Sequence, residues 1–479
     1  MVRQALNYGS FEDDPSAENA YWGFRKIDGN FIESFEALTA LPNYAEKLDS
    51  LRAAGVPDRV NLLLDFIDNL IFVRNNFIGA SVATLIAAMP AATFTRASIA
   101  TYVDSDGLMK TAAAGIPRID YDPLTLQPRG LLYESQSVNL CLRSQELENA
   151  TWVKTGASVV ANTSIAPDGT TTVDKLVEDM TNGPHYNAQV VNVTAGNTYT
   201  LSRYVREPSG NVSKRFFALL LASSGWGSNL YAVFDVGAGT VTQVSAGATA
   251  SIVPAGNGFF RCSITAAATL TASTSFQMRI QNASTGVPSY TGDGTSGMEQ
   301  WGGQFEVNNV ASSYIPTTTA ATSRATEQMT LEVPSLINQA EGTLAMELED
   351  VGGTSSSYLD FQLTEAANTD RLILRRGMTG GGFFYVFRGG AQQGSPGIGS
   401  FGAGVGRVAA RYKAGDHAGS VNGAAPTKNN DPDIPLAIMT RAYVYPGANT
   451  VTRIRRLMYF PTALSDAKLQ SLSNLSAWN

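Results

Sequence analysis

The feature that most constrains this fold is a long succession of short apolar runs with period-two alternation. Each run is closed by glycine, asparagine, proline or aspartate, as in HYNAQVVNVTAGNTYTLSRYV, RFFALLLAS and NLYAVFDVGAGTVTQV. Alternation places one face of a strand against a core, and evenly spaced turn residues connect such strands. The sequence therefore predicts a mainly β protein with two tandem antiparallel β-sandwich (jelly-roll) domains and little helix.

Composition excludes several classes of protein. The chain has 479 residues, of which 16% are charged, and a net charge of -7. That length suits two to four domains, and no basic stretch suits a nucleic-acid backbone. The first residues lack the apolar core of a secretory signal. The two cysteines, Cys141 and Cys262, are too few for a disulfide framework and are expected in the core.

A polar segment at residues 91–140 separates an apolar start from the strand-rich remainder. Turns are predicted around Asp104 to Gly107, at Pro123 and from Pro128 to Gly130, because proline fixes φ and glycine tolerates positive φ. We interpret this segment as a turn-rich neck.

The same segment carries a resemblance to a known family. The runs TFTRASIATYVDSDG, GIPRIDYDP and RGLLYESQSVNLCLRS are similar to a segment of structural proteins of tailed phages and phage-like particles. In that family the segment leads into a carbohydrate-binding-module-like β-sandwich. LENATWVKTGASVVANTS, FDVGAGTV and PAGNGFFRCSIT continue the resemblance. It implies that residues 141–326 form such a sandwich.

Residues 1–90 are predicted to hold a particle anchor and a helical oligomerisation region. One helical stripe consists of Val60, Leu64, Ile67, Ile71, Ile78, Val82 and Leu85. Asp65, Asp68 and Arg74 make a membrane span unfavourable, so the stripe is expected to pack against copies of itself. RKIDGNFIE resembles the opening of phage fibre proteins, which implies a trimer anchored to a particle. Deletion of residues 1–90 is expected to leave a folded β protein.

Residues 327–479 read as a second sandwich. The runs RVAARYKAGDHAGSVNGAA and PTALSDAKLQSL resemble the concanavalin or laminin-G type of lectin-like domain. Ser465 and Asp466 suit the start of a closing helix.

Candidate glycan contacts are aromatic side chains, since an aromatic face stacks on the apolar face of a sugar. Trp226 lies in the glycine- and serine-rich run SSGWGSN, which gives it no obvious core role, and Tyr231 and Tyr186 are further candidates. Trp152 and Trp301 lie within the family pattern and are expected in the core.

Charged candidates lie on the last strand and in one turn. Arg453 and Arg455 are predicted to share a strand face, with Arg456 opposite, and to hold an acidic polysaccharide. The alternative is that these arginines only protect a sheet edge. Asp293 in TGDGTSG is a candidate calcium ligand, or a simple turn residue. No other cofactor is expected.

The sequence does not favour an enzyme. The two histidines, His185 and His417, lie in no nucleophile or zinc motif. A glycosidase needs only two carboxylates, and no pair stands out. We therefore expect no catalytic residues.

These observations predict a virion fibre or spike protein that attaches to a host by binding cell-surface polysaccharide. The expected partners are that polysaccharide, other virion structural proteins at the N-terminus, and copies of the chain. No nucleic acid and no membrane insertion are expected. We expect the protein to be part of the virion, which is assembled in the cytoplasm of the bacterial host. The alternatives are a glycan depolymerase of a tailspike and a purely structural virion protein.

Overall fold

The computed structural model is built almost entirely of antiparallel strands, which confirms the predicted mainly β class. It describes residues 62–67, 70–73, 76–79, 92–209, 215–332, 334, 336–351, 358–377, 381–394, 397–401, 404–429 and 438–474. The expected particle anchor, upstream of Leu62, lies outside these residues.

The described strands fall into three groups along the chain. The first group is β1 (Leu62–Asp65), β2 (Leu70–Val73), β3 (Asn76–Gly79), β4 (Ala92–Thr95), β5 (Ala100–Val103), β6 (Met109–Ala112), β7 (Ile119–Tyr121), β8 (Pro128–Glu134) and β9 (Ser137–Asn139). The second group is β10 (Val153–Thr155), β11 (Ala157–Ser164), β12 (Val173–Glu178), β13 (Asn182–Gly183), β14 (His185–Val193), β15 (Thr198–Arg206), β16 (Phe216–Leu221), β17 (Leu230–Asp235), β18 (Thr240–Val244), β19 (Thr249–Pro254), β20 (Phe260–Ala267), β21 (Ala272–Gln281), β22 (Tyr290–Thr291), β23 (Gly297–Val307) and β24 (Thr322–Arg324). The third group is β25 (Gln328–Glu332), β26 (Glu341–Asp350), β27 (Leu359–Thr364), β28 (Arg371–Arg376), β29 (Gly381–Arg388), β30 (Ala391–Gly394), β31 (Gly397–Ser400), β32 (Gly404–Lys413), β33 (His417–Val421), β34 (Thr427–Asn429), β35 (Arg441–Pro446) and β36 (Val451–Phe460). Two α-helices, α1 (Ser223–Trp226) and α2 (Asp466–Ser473), and a short 3-10 helix (Gly256–Gly258) complete the described elements.

Strands of the first and third groups combine into one sandwich, which we call the flanking sandwich. Its sheet I has the order β3-β2-β1-β36-β26-β32-β33-β34, with β8 paired to β36 and β7 to β8. Its sheet II has the order β30-β29-β28-β27-β35-β25-β4, with β31 paired to β29. Residues 91–140, predicted as a separate neck, therefore supply β4, β7 and β8 to this sandwich, whereas β5 and β6 pair with each other and β9 pairs with β24.

The helix predicted between Val60 and Leu85 is wrong where the structure describes it. Strand β1 lies between β36 and β2, with Leu62 opposite Tyr459 and Val73. Leu62, Leu63 and Leu64 are all buried, so this short apolar run suits a strand covered on both faces. Asp65 ends the strand, and its Oδ1 accepts a hydrogen bond from the Ile67 N–H at 3.0 Å. The rest of the predicted stripe lies outside the described side chains.

Strands of the second group form the middle sandwich, apart from β13 and β22, which pair with each other, and β24, which pairs with β9 of the first group. Sheet III has the order β10-β14-β21-β16-β17-β18, and sheet IV has the order β11-β12-β23-β15-β20-β19. Their apolar faces meet in one core, where Trp152 is 1% exposed, and Trp301 lies equally buried in an adjoining cluster. Cys141 and Cys262 are buried and unpaired. The core positions predicted for these four residues are confirmed.

A fully buried ion network joins the two sandwiches. Arg118 donates to Glu134 at 2.8 Å and to Glu327 at 2.9 Å, and Arg324 lies 3.1 Å from Glu134. Glu134 also accepts hydrogen bonds from the N–H and hydroxyl of Ser313, in the loop that follows β23. Burial alone would raise the pKa of Glu134, but Arg324, Arg118 and the hydrogen bonds from Ser313 together outweigh burial and lower it to about 2. The network therefore fixes β8 of the flanking sandwich against a loop of the middle sandwich.

The turn after β33 and the last helix agree with the residues at those positions. Asn422 (φ 50°) and Gly423 (φ 79°) form the turn after β33, since both positions require left-handed backbone. Helix α2 starts after Ser465 and buries Leu469 and Leu472, although Ser465 makes no side-chain cap. Among the described residues, no helix is long and apolar enough to cross a membrane.

Candidate functional site: an aromatic sheet face

The outer face of sheet II is rich in aromatic side chains. In two of its strands the inward and the outward positions are both apolar, and the outward ones are aromatic. In β29, Phe384 and Val386 point into the core, while Phe383, Tyr385 and Phe387 lie half-buried on the other face. In β35, Ala442 and Val444 point inward, while Tyr443 and Tyr445 lie half-buried outside. A strand with large apolar residues on both sides has an outer face that needs explanation.

Strand register brings these side chains together with polar ones from the strands between them. Directly opposed residues of antiparallel strands share a face. One such row across the sheet consists of Tyr445, Asp360, Arg375 and Phe383. The next row consists of Thr330, Tyr443, Gln362, Ile373 and Tyr385. We use "aromatic face" for Tyr358, Phe383, Tyr385, Phe387, Tyr443 and Tyr445 with Asp360, Gln362, Arg371 and Arg375.

The rings form two ladders. Along β29, the Phe383 and Tyr385 rings are stacked with centroids 5.7 Å apart, and Phe387 lies 6.3 Å beyond Tyr385. Along β35, Tyr443 and Tyr445 are stacked at 6.0 Å. Three strand spacings separate the ladders, which is about 14 Å. The two ladders are therefore far enough apart to contact different units of an extended ligand.

An ion pair occupies the space between the ladders. The Arg375 guanidinium binds Asp360 through Nε at 2.6 Å and Nη2 at 2.7 Å. The same guanidinium lies 4.1 Å from the ring centroid of Tyr358 and 5.1 Å from that of Tyr385. Burial raises the pKa of Asp360, although Arg375 opposes the shift. Since ring faces attract a cation, the pair keeps the tyrosine rings in fixed positions.

Two polar atoms of this face have no hydrogen-bond partner. Gln362 is 5% exposed, and its Oε1 is buried without a donor. Arg371 lies 4.2 Å from the Phe387 ring centroid, and its Nε has no acceptor. Buried polar groups usually find partners, so these two atoms are exceptions within the aromatic face.

The aromatic face was not predicted from the sequence. The signal was present in FFYVF and RAYVY, where aromatic residues occupy every second position in a strand whose other positions are already apolar. Nothing in the sequence shows that these two segments lie in one sheet.

Trp226, the first predicted glycan contact, is a core residue. It ends helix α1, is 4% exposed, and its ring contacts Tyr199 with centroids 6.3 Å apart. This burial corrects the expectation of an exposed ring. Gly225 allows the close fit, because a Cβ there would lie 3.0 Å from Val193 Cγ2.

Tyr186 and Tyr231 do share a face, which is the outer face of sheet III. Both are half-buried there, on β14 and β17. Tyr186 opposes Arg279, and Tyr231 opposes Leu220, which in turn opposes Gln277. Their predicted role in glycan binding stays a prediction.

The predicted arginine face is not free to bind a polyanion. Arg453 binds Asp120 at 2.6 Å and Glu349 at 3.3 Å, so its charge is already neutralised. Arg455 and Arg456 both bind Glu347, at 2.7 and 2.8 Å. The prediction that Arg456 points away from Arg455 is wrong, because a β-bulge shifts the register here and brings adjacent residues to one carboxylate.

Arg453 and Asp120 also line a cleft of about 510 Å³ between the two sandwiches, with Tyr121 and Arg261 on other walls. Such a volume is typical of small-ligand sites. Arg261 is held by Ser202 and by the Ser312 carbonyl. The cleft therefore offers volume but few free charges.

Asp293 acts as a turn residue. Its Oδ1 accepts hydrogen bonds from the N–H groups of Thr295 and Ser296, and its Oδ2 lies 3.1 Å from Arg215 Nη2. These hydrogen bonds, from Ser296 first, lower the pKa of Asp293. Within the described part of the chain, no three histidine, cysteine or acidic side chains group together as metal ligands.

Comparisons with known proteins add little beyond the architecture. No family model and no curated protein matches this chain. The binding domain of botulinum neurotoxin serotype D is 10% identical over 30% of this chain, which spans 39% of that domain, with a TM-score of 0.26. The CBM40 of a Ruminococcus gnavus IT-sialidase, solved with α2,6-sialyllactose, is 13% identical over 28% of this chain and 84% of the module, with a TM-score of 0.24. A tail fibre protein from an E. coli phage is 11% identical over 69% of this chain and 41% of that protein, with a TM-score of 0.21. These neighbours include a carbohydrate-binding module and a phage fibre, but scores this low support no inference about a ligand.

Proposed function

We propose that this protein binds a glycan through the aromatic face, and that it serves as an attachment fibre or spike of a phage-like particle. The observation that carries the proposal is the set of half-buried rings on one sheet face, ordered by the Asp360–Arg375 pair. Such a face is costly to leave in water, and its rings suit the apolar faces of sugars. The particle assignment rests on the sequence resemblance to structural proteins of tailed phages.

Binding is proposed here in preference to chemistry. Asp360 is the carboxylate of the aromatic face as defined, and both of its oxygens are bound by Arg375. A glycosidase needs two carboxylates that flank one bond. A depolymerase would therefore need a different site, and the rings supply recognition.

Repetition would strengthen such a site. We propose that the chain forms a homotrimer through its N-terminal region, as the fibre proteins it resembles do. Linked copies raise avidity by about 10² to 10⁴ without new contacts. Light scattering of the full chain measures the mass, and a monomer at micromolar concentration would contradict this part.

The test of the glycan site is the variant Tyr385→Ala in the full chain. A glycan array identifies a bound oligosaccharide, and titration then compares its affinity for the two proteins. Loss of one stacked ring is expected to cost about 1 kcal/mol, which is about fivefold in Kd. The matched control is Tyr121→Ala, which removes a half-buried tyrosine from the cleft between the sandwiches.

Three outcomes decide the proposal. Weaker binding by Tyr385→Ala with unchanged binding by Tyr121→Ala supports the aromatic face. Equal loss in both variants, or no loss in either, places the glycan elsewhere. If Tyr385→Ala changes the oligomeric mass instead of the affinity, the face is an interface between copies.

A further inference from the structure

Strand β21 of sheet III presents polar side chains on its outer face. Phe276, Met278 and Ile280 point into the core and are fully buried. The residues between and after them, Gln277, Arg279 and Gln281, lie on the opposite face, as strand alternation requires.

Arg279 in this row is a buried cation without an acidic partner. It is 9% exposed, and its Nη1 donates to the Val287 carbonyl at 3.2 Å. Its guanidinium carbon lies 5.3 Å from the ring centroid of Tyr186. The Nε has no hydrogen-bond partner, and among the described residues no carboxylate lies within ion-pair distance. Burial lowers the pKa of Arg279.

Other buried arginines of this chain have the carboxylate partner that Arg279 lacks. Arg215 in the same sandwich reaches two carboxylates, Glu178 and Asp293, and Arg118 also reaches two. A carboxylate partner stabilises a buried guanidinium, because an uncompensated charge in the protein interior is unfavourable. Among the described residues Arg203, buried in the core of the same sandwich, also lacks such a partner. At Arg279 the anion is absent from the described protein.

Two unpartnered acceptors accompany Arg279. The Oε1 atoms of Gln277 and Gln281, one on each side along the strand, are buried without donors. A ligand that satisfies this row must offer an anion in the middle and hydroxyl donors beside it. Carboxylate binds guanidinium through charge-assisted hydrogen bonds, and sugar hydroxyls can donate to amide oxygens.

We propose that Arg279, Gln277 and Tyr186 form a binding site for a carboxylate-bearing sugar. Arg279 binds the carboxylate, Gln277 accepts a hydroxyl hydrogen bond, and the Tyr186 ring fixes the guanidinium plane. Tyr231 lies on the same face but three strands away, about 14 Å across the sheet. It therefore contacts a neighbouring unit of an oligosaccharide, not the same sugar ring. This site lies on the other sandwich and does not depend on the aromatic face.

The test uses the full chain and three small probes: sodium glucuronate, glucose and sodium acetate. Binding is measured by NMR titration, with the ¹⁵Nε–¹H signal of Arg279 as the local reporter. Glucuronate is expected to shift that signal and to bind at least tenfold more tightly than either other probe. Equal affinity for glucose overturns the role of the carboxylate, and equal affinity for acetate overturns the role of the sugar.

Two substitutions of Arg279 and one control substitution separate recognition from folding. Arg279→Gln is expected to weaken glucuronate binding at least tenfold, whereas Lys175→Gln, the same charge change on sheet IV, leaves it unchanged. Unchanged binding by Arg279→Gln overturns the proposal. Arg279→Leu removes a buried charge that has no acidic partner, so its melting temperature without ligand should equal or exceed that of the native chain. A clear fall in melting temperature assigns Arg279 a structural role and also overturns the proposal.

Discussion

Replacing Glu134 by glutamine tests the ion network between the sandwiches. Glutamine keeps the shape of the side chain and removes its charge. Arg118 retains Glu327 as a partner, at 2.9 Å, whereas Arg324 loses its carboxylate and keeps only hydroxyl and carbonyl acceptors. The variant therefore leaves one guanidinium buried without a counter-charge.

The size of the effect follows from the pKa of Glu134. The pKa falls from 4.5 to about 2 on folding, because two arginines and the hydrogen bonds from Ser313 together outweigh the effect of burial. A shift of this size corresponds to about 3 kcal/mol of stability, similar to the loss expected on breaking a buried ion pair. A lowered folded-state pKa stabilises the protein above the unfolded pKa, and this contribution is lost as pH falls from about 4.5 to about 2.

Urea unfolding, followed by tryptophan fluorescence at several pH values, measures both quantities. At pH 7 Glu134→Gln is expected to be about 3 kcal/mol less stable than the native chain, and the difference should shrink towards zero near pH 2. The control is Glu146→Gln, because Glu146 pairs with Arg143 on the surface and should change stability by about 0.5 kcal/mol or less. A Glu134→Gln variant within about 1 kcal/mol of the native chain at pH 7, or a difference that is independent of pH, would show that the Glu134 charge does not stabilise the protein.

One substitution and one deletion test where Trp226 and the strands of the N-terminal region lie. Trp226→Ala should destabilise the middle sandwich by about 3 to 5 kcal/mol, since a buried ring is lost, and thermal unfolding would show no such loss if the ring were exposed. Deletion of residues 1–90 should destabilise the flanking sandwich by several kcal/mol, because it removes Leu62, Leu64 and Phe66, each contributing about 2 kcal/mol of burial. Circular dichroism that showed an equally stable truncated chain would support the original expectation that these residues are dispensable.

Local patterns account for the parts of the fold that the sequence could predict. Strand alternation is visible within a few residues, so the β class and helix α2 follow from nearby side chains. The segment at Leu62 was misread because a short apolar run has the same composition in a buried strand and in a buried helix. Only its pairing with Tyr459, at the far end of the chain, distinguishes the two.

The candidate sites were predictable only in part, for the same reason. Tyr186 was predicted from its residue type, and that role stays a prediction, whereas its neighbour Arg279 lies on a strand far along the chain and gave no signal by itself. The bulge near Arg455 shifts the register by one residue, which reverses the side that a strand pattern predicts. Trp226 was misplaced because a glycine-rich run resembles an exposed loop, whereas here Gly225 permits close packing.

The pairing of distant strands also determines how a force on the N-terminal region would reach the aromatic face. Strand β1 is hydrogen-bonded to β36 within sheet I, so residues that precede Leu62 are joined directly to the flanking sandwich. Sheets of a sandwich pack about 10 Å apart, so the aromatic face lies only one sheet beyond this strand. The middle sandwich is connected through β9, β24 and the Glu134 network, which lie outside the path from β1 to sheet II. If the chain were held at its N-terminal region and bound to a glycan at the aromatic face, the force would therefore act on the hydrogen bonds of β1 and on the core of the flanking sandwich. The Arg279 site would not carry that force.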